Sequence, residues 1–78
     1  MVDIRVPMRV TLDDEVDAAY IYLVDEIAPG SVARTVPLDH SGAMINLDFD
    51  SNGRVLGVEI LGAAAALPTE LISHLRGS

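Results

Sequence analysis

Residues 43–61 read AMINLDFDSNGRVLGVEIL. Apolar side chains recur at alternate positions on both sides of Asn52-Gly53, the period of a half-buried strand, and Asn-Gly is the preferred pair for a two-residue type I′ hairpin turn. Closing the turn on those two residues sets Phe49 against Leu56, Leu47 against Val58 and Ile45 against Ile60. All six are apolar and share one face. The other face pairs Asn46 with Glu59, Asp48 with Gly57 and Asp50 with Val55. A one-residue slip would turn every apolar side chain to the wrong face, so pattern and turn select the same register independently.

Working toward the N-terminus, residues 39–42 are turn chemistry. A third strand is expected over about residues 32–36, ended by Pro37, where a missing ladder donor is tolerated. Pro29 and Gly30 close a second strand over residues 18–24, with Ile21 and Leu23 on one face and Tyr20, Tyr22 and Val24 on the other. Before it, DDEVD at residues 13–17 interrupts the sheet with four carboxylates, and Asp13 can cap a single turn there. Met8, Val10 and Leu12 alternate with Arg9 and Thr11 as a first strand, and residues 1–7 read as a short leader. Toward the C-terminus, Leu67, Leu71, Ile72 and Leu75 repeat with helical spacing. Pro68 and Glu70 lie in the first turn, His74 and Arg76 in the last, and Gly77 supplies a stop. The expectation is one small α+β domain: a mostly antiparallel sheet of about five strands over residues 8–61, with a C-terminal helical segment, residues 63–76, packed on one face. Such a sheet is wider than one helix of about 10 Å can cover at roughly 4.8 Å per strand, so a homo-oligomer, dimer or larger, is expected.

Composition narrows the function classes. Half of the 78 residues are hydrophobic and only 22% are charged, which excludes an intrinsically disordered chain. No cysteine is present, so neither a disulfide nor a thiolate zinc site can staple this small core. The five basic residues, all Arg, are scattered at 5, 9, 34, 54 and 76 against twelve acidic ones, for a net charge of −7. Nucleic-acid binding needs concentrated positive charge, so none is expected. The longest uncharged apolar stretches, residues 18–24 and 60–68, fall well short of the roughly 20 residues that span a bilayer. No membrane association is expected, and with no signal-peptide pattern the expected location is cytoplasmic.

One metal motif stands out. Residues 48–59, DFDSNGRVLGVE, satisfy the calcium-binding EF-hand loop pattern, with Asp48, Asp50 and Asn52, then Gly53, and Glu59 as the twelfth residue. That loop needs a helix on each side, whereas residues 43–49 alternate as a strand. The motif is therefore read as the accident of a hairpin, and no metal site is assigned. The alternatives are a weak carboxylate site made by Asp48, Asp50 and Asn52 without Glu59, or a calcium-dependent binding module using the whole loop. DDEVD begins the same pattern and fails, since Ala18 stands where glycine is needed and Val24 where an oxygen ligand is needed. It is read as a solvated turn. For catalysis, Asp48, Asp50 and Glu59 with His40 or His74 are the candidates. Nothing holds a pair of them at working distance, so no catalytic residue and no cofactor is assigned, and an enzyme using the acidic hairpin face is a minor alternative. Tyr20 and Tyr22 read as cross-strand packing or as binding anchors.

The runs MRVTLDDEVDAAYIYLVD and FDSNGRVLGVEIL, and the spacing between them, resemble the uncharacterised bacterial family called domain of unknown function 2283. The resemblance covers about residues 8–61. Its pattern is an acidic turn (here Asp13, Glu15, Asp17), a strand with Ala18 and Ala19 before Tyr20 to Leu23, and a hairpin with Asp48, Asp50 and Gly53 before Gly57 to Leu61. The arm carrying Pro29 and the alanine-rich tail from Ala63 depart from it. The resemblance implies a small antiparallel α+β domain with no known activity and transfers no catalytic residue. It leaves an antitoxin-like role, as partner of a small basic protein, as a further alternative. The function expected is a non-enzymatic module acting through protein contacts, most simply with copies of itself.

Overall fold

The computed structural model describes residues 1–40 and 42–77, with the backbone alone at His40. Among these residues five strands form, β1 (Arg9–Asp13), β2 (Ala18–Tyr22), β3 (Arg34–His40), β4 (Ala43–Phe49) and β5 (Val55–Leu61), followed by two short helices, α1 (Ala63–Ala66) and α2 (Thr69–Arg76). The strands make one antiparallel sheet in the order β1-β2-β5-β4-β3. The chain is thus α+β, as the alternation and the C-terminal periodicity predict. Among the described residues no helix is long and apolar enough to cross a membrane.

The central hairpin keeps the predicted pairs Ile45↔Ile60, Asn46↔Glu59, Leu47↔Val58 and Asp48↔Gly57. Its turn is not type I′. That turn needs positive φ at both Asn52 and Gly53, and only Gly53 has it (φ 79°). The Gly53 N–H bonds the Asp50 carbonyl at 3.1 Å and the Asp50 N–H bonds the Arg54 carbonyl at 2.9 Å. This is a longer loop, a tight turn followed by a left-handed glycine. Phe49 therefore faces Val55 rather than Leu56, and Asp50 no longer faces Val55. A bulge absorbs the extra residue at Leu56 and restores the expected register beyond it.

Two further expectations are corrected. β3 runs through Pro37 instead of stopping there, because Val36↔Leu47 and Leu38↔Ile45 continue the apolar pairing and an edge strand tolerates a residue without N–H. The C-terminal segment breaks into two helices at Leu67, which is extended (φ −90°, ψ 153°), since the residue before a proline is pushed out of the helical region. The expected turn at 39–42 includes Ser41, outside the described residues.

The helices lie on the face that carries Leu12, Ala19, Ile21, Ile45, Val58 and Ile60. Ala19, Ile60, Ala63 and Ile72 are buried, with Ala66 and Leu67 packed beside them. Alanine at 19 and 63 lets α1 approach the sheet closely. Asp17 fixes that approach. With φ 52°, a left-handed conformation that Asp tolerates better than most residues, it turns its carbonyl to the N–H groups of Gly62 (2.9 Å) and Ala63 (3.0 Å), and its Oδ1 accepts the Ala64 N–H at 2.9 Å. Part of the acidic turn read as merely solvated is therefore a cap supplied across the fold. Asp14 adds an exposed ion pair to Arg76 (2.8 Å), worth little by itself.

Candidate functional site

The face opposite the helices carries the polar side chains of the sheet. Pairing places Tyr20 beside Glu59 and Tyr22 beside Gly57, Glu59 beside Asn46 and Gly57 beside Asp48, and Asp48 beside Thr35. Four strands thus contribute to one array. Gly57 lets it form: the Tyr20 ring lies over this bare position, where a Cβ would overlap Tyr20 Cε1 and Oη and stand 2.7 Å from Cζ. Crossing the glycine, Tyr20 Oη donates to Asp48 Oδ2 at 2.6 Å, while Thr35 Oγ1 donates to Asp48 Oδ1 at 2.6 Å. Asn46 Nδ2 donates to Glu59 Oε1 at 2.9 Å. The Tyr20 and Tyr22 rings touch at 4.7 Å between centroids, and the Arg9 guanidinium sits 4.1 Å from the Tyr22 ring centre, a cation–π contact.

Electrostatics follow from this geometry. Burial, then the hydrogen bond to Asp48 and the negative charge of that carboxylate, push the Tyr20 phenol well above its ordinary range. It stays protonated at neutral pH and serves as a donor, not as a base or nucleophile. Asp48 has both oxygens engaged by hydroxyls. An array whose members satisfy one another holds a surface rigid and presents tyrosine edges, a threonine and an arginine to whatever lies above it.

The remaining candidates are dispersed. Asp50 turns away from this array and into its own loop, where Oδ1 accepts the N–H of Asn52 (2.9 Å) and of Arg54 (3.0 Å). Glu59 is held opposite Asn46, well up the partner strand from Asp50 and Asn52, so residues 48–59 are the ends of two paired strands and the loop between them, with Glu59 fixed in the ladder away from that loop. Among the described residues no three His, Asp or Glu side chains are placed to share one metal. His74 is on α2, across the sheet from Asp48 and Glu59, and the His40 side chain lies outside the described residues. The link from Tyr20 to Asp48 is the feature that sequence reasoning missed. Its one visible signal was a glycine set opposite Asp48 in an otherwise side-chain-filled hairpin.

These features define a class: a small α+β protein whose antiparallel sheet is covered by helices on one face and carries a bonded polar array on the other. The chain belongs to the family described as protein of unknown function (DUF2283), whose model matches residues 9–63. That span takes in all five strands and the first residue of α1. No curated protein and no solved structure matches the chain.

Proposed function

We propose that this protein works through contacts with other protein chains, most simply a second copy of itself, and carries out no chemistry of its own. One observation carries the reading. The chain exposes 5799 Å², whereas a monomer of 8.3 kDa scales to about 4,600 Å². The excess, roughly 1,200 Å² by the same scaling, exceeds the about 800 Å² that each partner contributes to an interface of standard size. Large apolar side chains contribute to it: Leu38 on the edge strand β3 is 46% exposed and Val55, at the turn end of β5, 37%, and monomers rarely leave such surface open. The polar array supports the same reading, since its carboxylates are engaged as acceptors, Asp48 by the Tyr20 and Thr35 hydroxyls and Glu59 by the Asn46 amide. Sedimentation at micromolar concentration tests it. A mass of two chains or more is expected; a monomeric mass refutes self-association.

A further inference from the structure

β1 begins at Arg9, yet the alternation that defines it runs back unbroken to Val2. Val2, Ile4, Val6 and Met8 are apolar, and the charged Asp3 and Arg5 and the ring of Pro7 stand between them. Residues 1–8 pair with no strand among the described residues, and those four apolar side chains stand 80, 69, 59 and 53% exposed. A strand pattern without a partner implies a partner elsewhere, because a half-apolar strand left in water gains nothing from its pattern.

Backbone direction decides where it can pair. Successive residues of an antiparallel strand point their N–H and C=O groups to alternate neighbours. The Leu23 N–H bonds the Leu56 carbonyl, so odd residues of β2 face β5 and even ones face β1. With Arg9 opposite Tyr22, odd residues of β1 then face inward and even residues face the open edge. Continued through the arm, the rule puts the N–H groups of residues 4, 6, 8, 10 and 12 on that edge and turns Pro7, which has none, inward. The same alternation, carried through β5 and β4, points Pro37 outward on β3. The β3 edge is therefore interrupted by a proline at its middle, while the β1 edge is not.

We propose that residues 2–10 of one copy pair antiparallel with the same residues of a second copy, about a twofold axis at Val6. The proposal rests on the self-association reading above. In this register Val6 faces Val6, Ile4 faces Met8 and Val2 faces Val10, all on the face that the helices cover, and Asp3 faces Arg9. Shifting by two residues either way sets Arg5 against Arg5 or against Arg9, which like charges disfavour. Shifting by one sets apolar against polar side chains. The contact is isologous and closed, and with Pro37 guarding the far edge assembly stops at two chains.

The test uses the full chain, which has no native cysteine. Wild type is expected to sediment as a dimer at micromolar concentration, and Ile4→Asp/Val6→Asp, altering two exposed side chains, as a monomer with an unchanged circular dichroism spectrum. Oxidised Val6→Cys should run as a covalent dimer on a non-reducing gel, because directly opposed Cα atoms lie within disulfide reach, while Val16→Cys, exposed in the β1–β2 turn, should not. A double variant that stays dimeric, with Val6→Cys uncrosslinked, overturns arm pairing and leaves self-association to another surface. A monomeric wild type overturns both.

Discussion

Replacing Gly57 by alanine tests the polar array most directly. The added Cβ would occupy the space of the Tyr20 ring edge and hydroxyl, and the ring, being the far end of its side chain, swings away while the backbone stays. Three quantities then compete. The Tyr20 hydrogen bond to Asp48 is lost, about 1.5–3 kcal/mol for a charged acceptor and toward the low end at this half-buried site. The contact with Tyr22 is lost as well, about 0.5–1.5 kcal/mol. Against these, alanine in place of glycine within a strand returns about 0.5–1 kcal/mol. The expected net cost is about 1–3 kcal/mol, a fall in Tm of roughly 5–20 °C for a domain of this size. In a Tyr20→Ala background the same substitution should be neutral or slightly stabilising, so urea melts of the four-protein cycle should show coupling above about 1 kcal/mol. An equal cost of Gly57→Ala in both backgrounds would falsify the arrangement. Titration supplies a second readout. The folded state raises the Tyr20 phenol above its unfolded value, so it binds that proton more tightly than the unfolded chain does. Its contribution is complete below about pH 10, the ordinary tyrosine value, and is lost as the pH climbs through the folded value. Tyrosinate absorbance should therefore show a phenol still protonated above pH 10 in wild type, and Tyr20→Phe should remove that fraction.

The turn makes a paired prediction: Gly53→Val should cost more than about 1 kcal/mol, since a β-branched residue is strained at φ 79°, whereas Asn52→Ala should stay within about 0.5 kcal/mol, as befits a position without left-handed backbone. Equal and large losses at both would restore the type I′ turn. Asp17→Ala should lower stability by about 1–2 kcal/mol through loss of the cap on α1, with Asp17→Asn, which keeps an acceptor and tolerates the left-handed backbone, costing less; urea midpoints that rank the two in reverse would contradict the cap. Calcium at 1 mM should leave the melting temperature where a chelator leaves it, with Glu59→Gln equally indifferent, because a micromolar site would add about 4 kcal/mol and Glu59 is held in β5 opposite Asn46, away from the loop.

The β4–β5 register was legible because burial pattern and turn position constrain it separately, and the bulge at Leu56 cancels the one-residue error in turn length. The turn type was not, since Asn-Gly suits both a two-residue loop and a longer one ending in a left-handed glycine. Pro37 misled for a related reason: proline marks strand ends, but it also sits within edge strands, and nothing local says that β3 is an edge. Leu67 sits on the helical stripe, so periodicity alone hid the break that Pro68 enforces. The array depended on β2 lying next to β5, a long-range adjacency that no local pattern encodes, and without it Tyr20 had no visible reason to find Asp48. The alternation at residues 2–8 was present throughout and was obscured by reading residues 1–7 as a leader.

The strand order β1-β2-β5-β4-β3 also governs the sequence of events by which the chain assembles. β3, β4 and β5 are consecutive neighbours separated by few residues in sequence, so their contacts close small loops. β2 must instead reach β5 across the whole of that meander, from Tyr22 to Gly57, and loop closure grows costlier with length, by about 0.6 kcal/mol per doubling. The meander is therefore expected to nucleate, with the N-terminal hairpin docking afterward onto an edge that exists only once β5 is in place. During synthesis the first hairpin to emerge is thus the last to find its partner, holding Val10, Leu12 and Ile21 exposed until residues 55–61 leave the ribosome. Kinetic φ-values should be high at Ile45 and Val58 and low at Val10 and Leu12; the reverse gradient would place the nucleus in the β1–β2 hairpin.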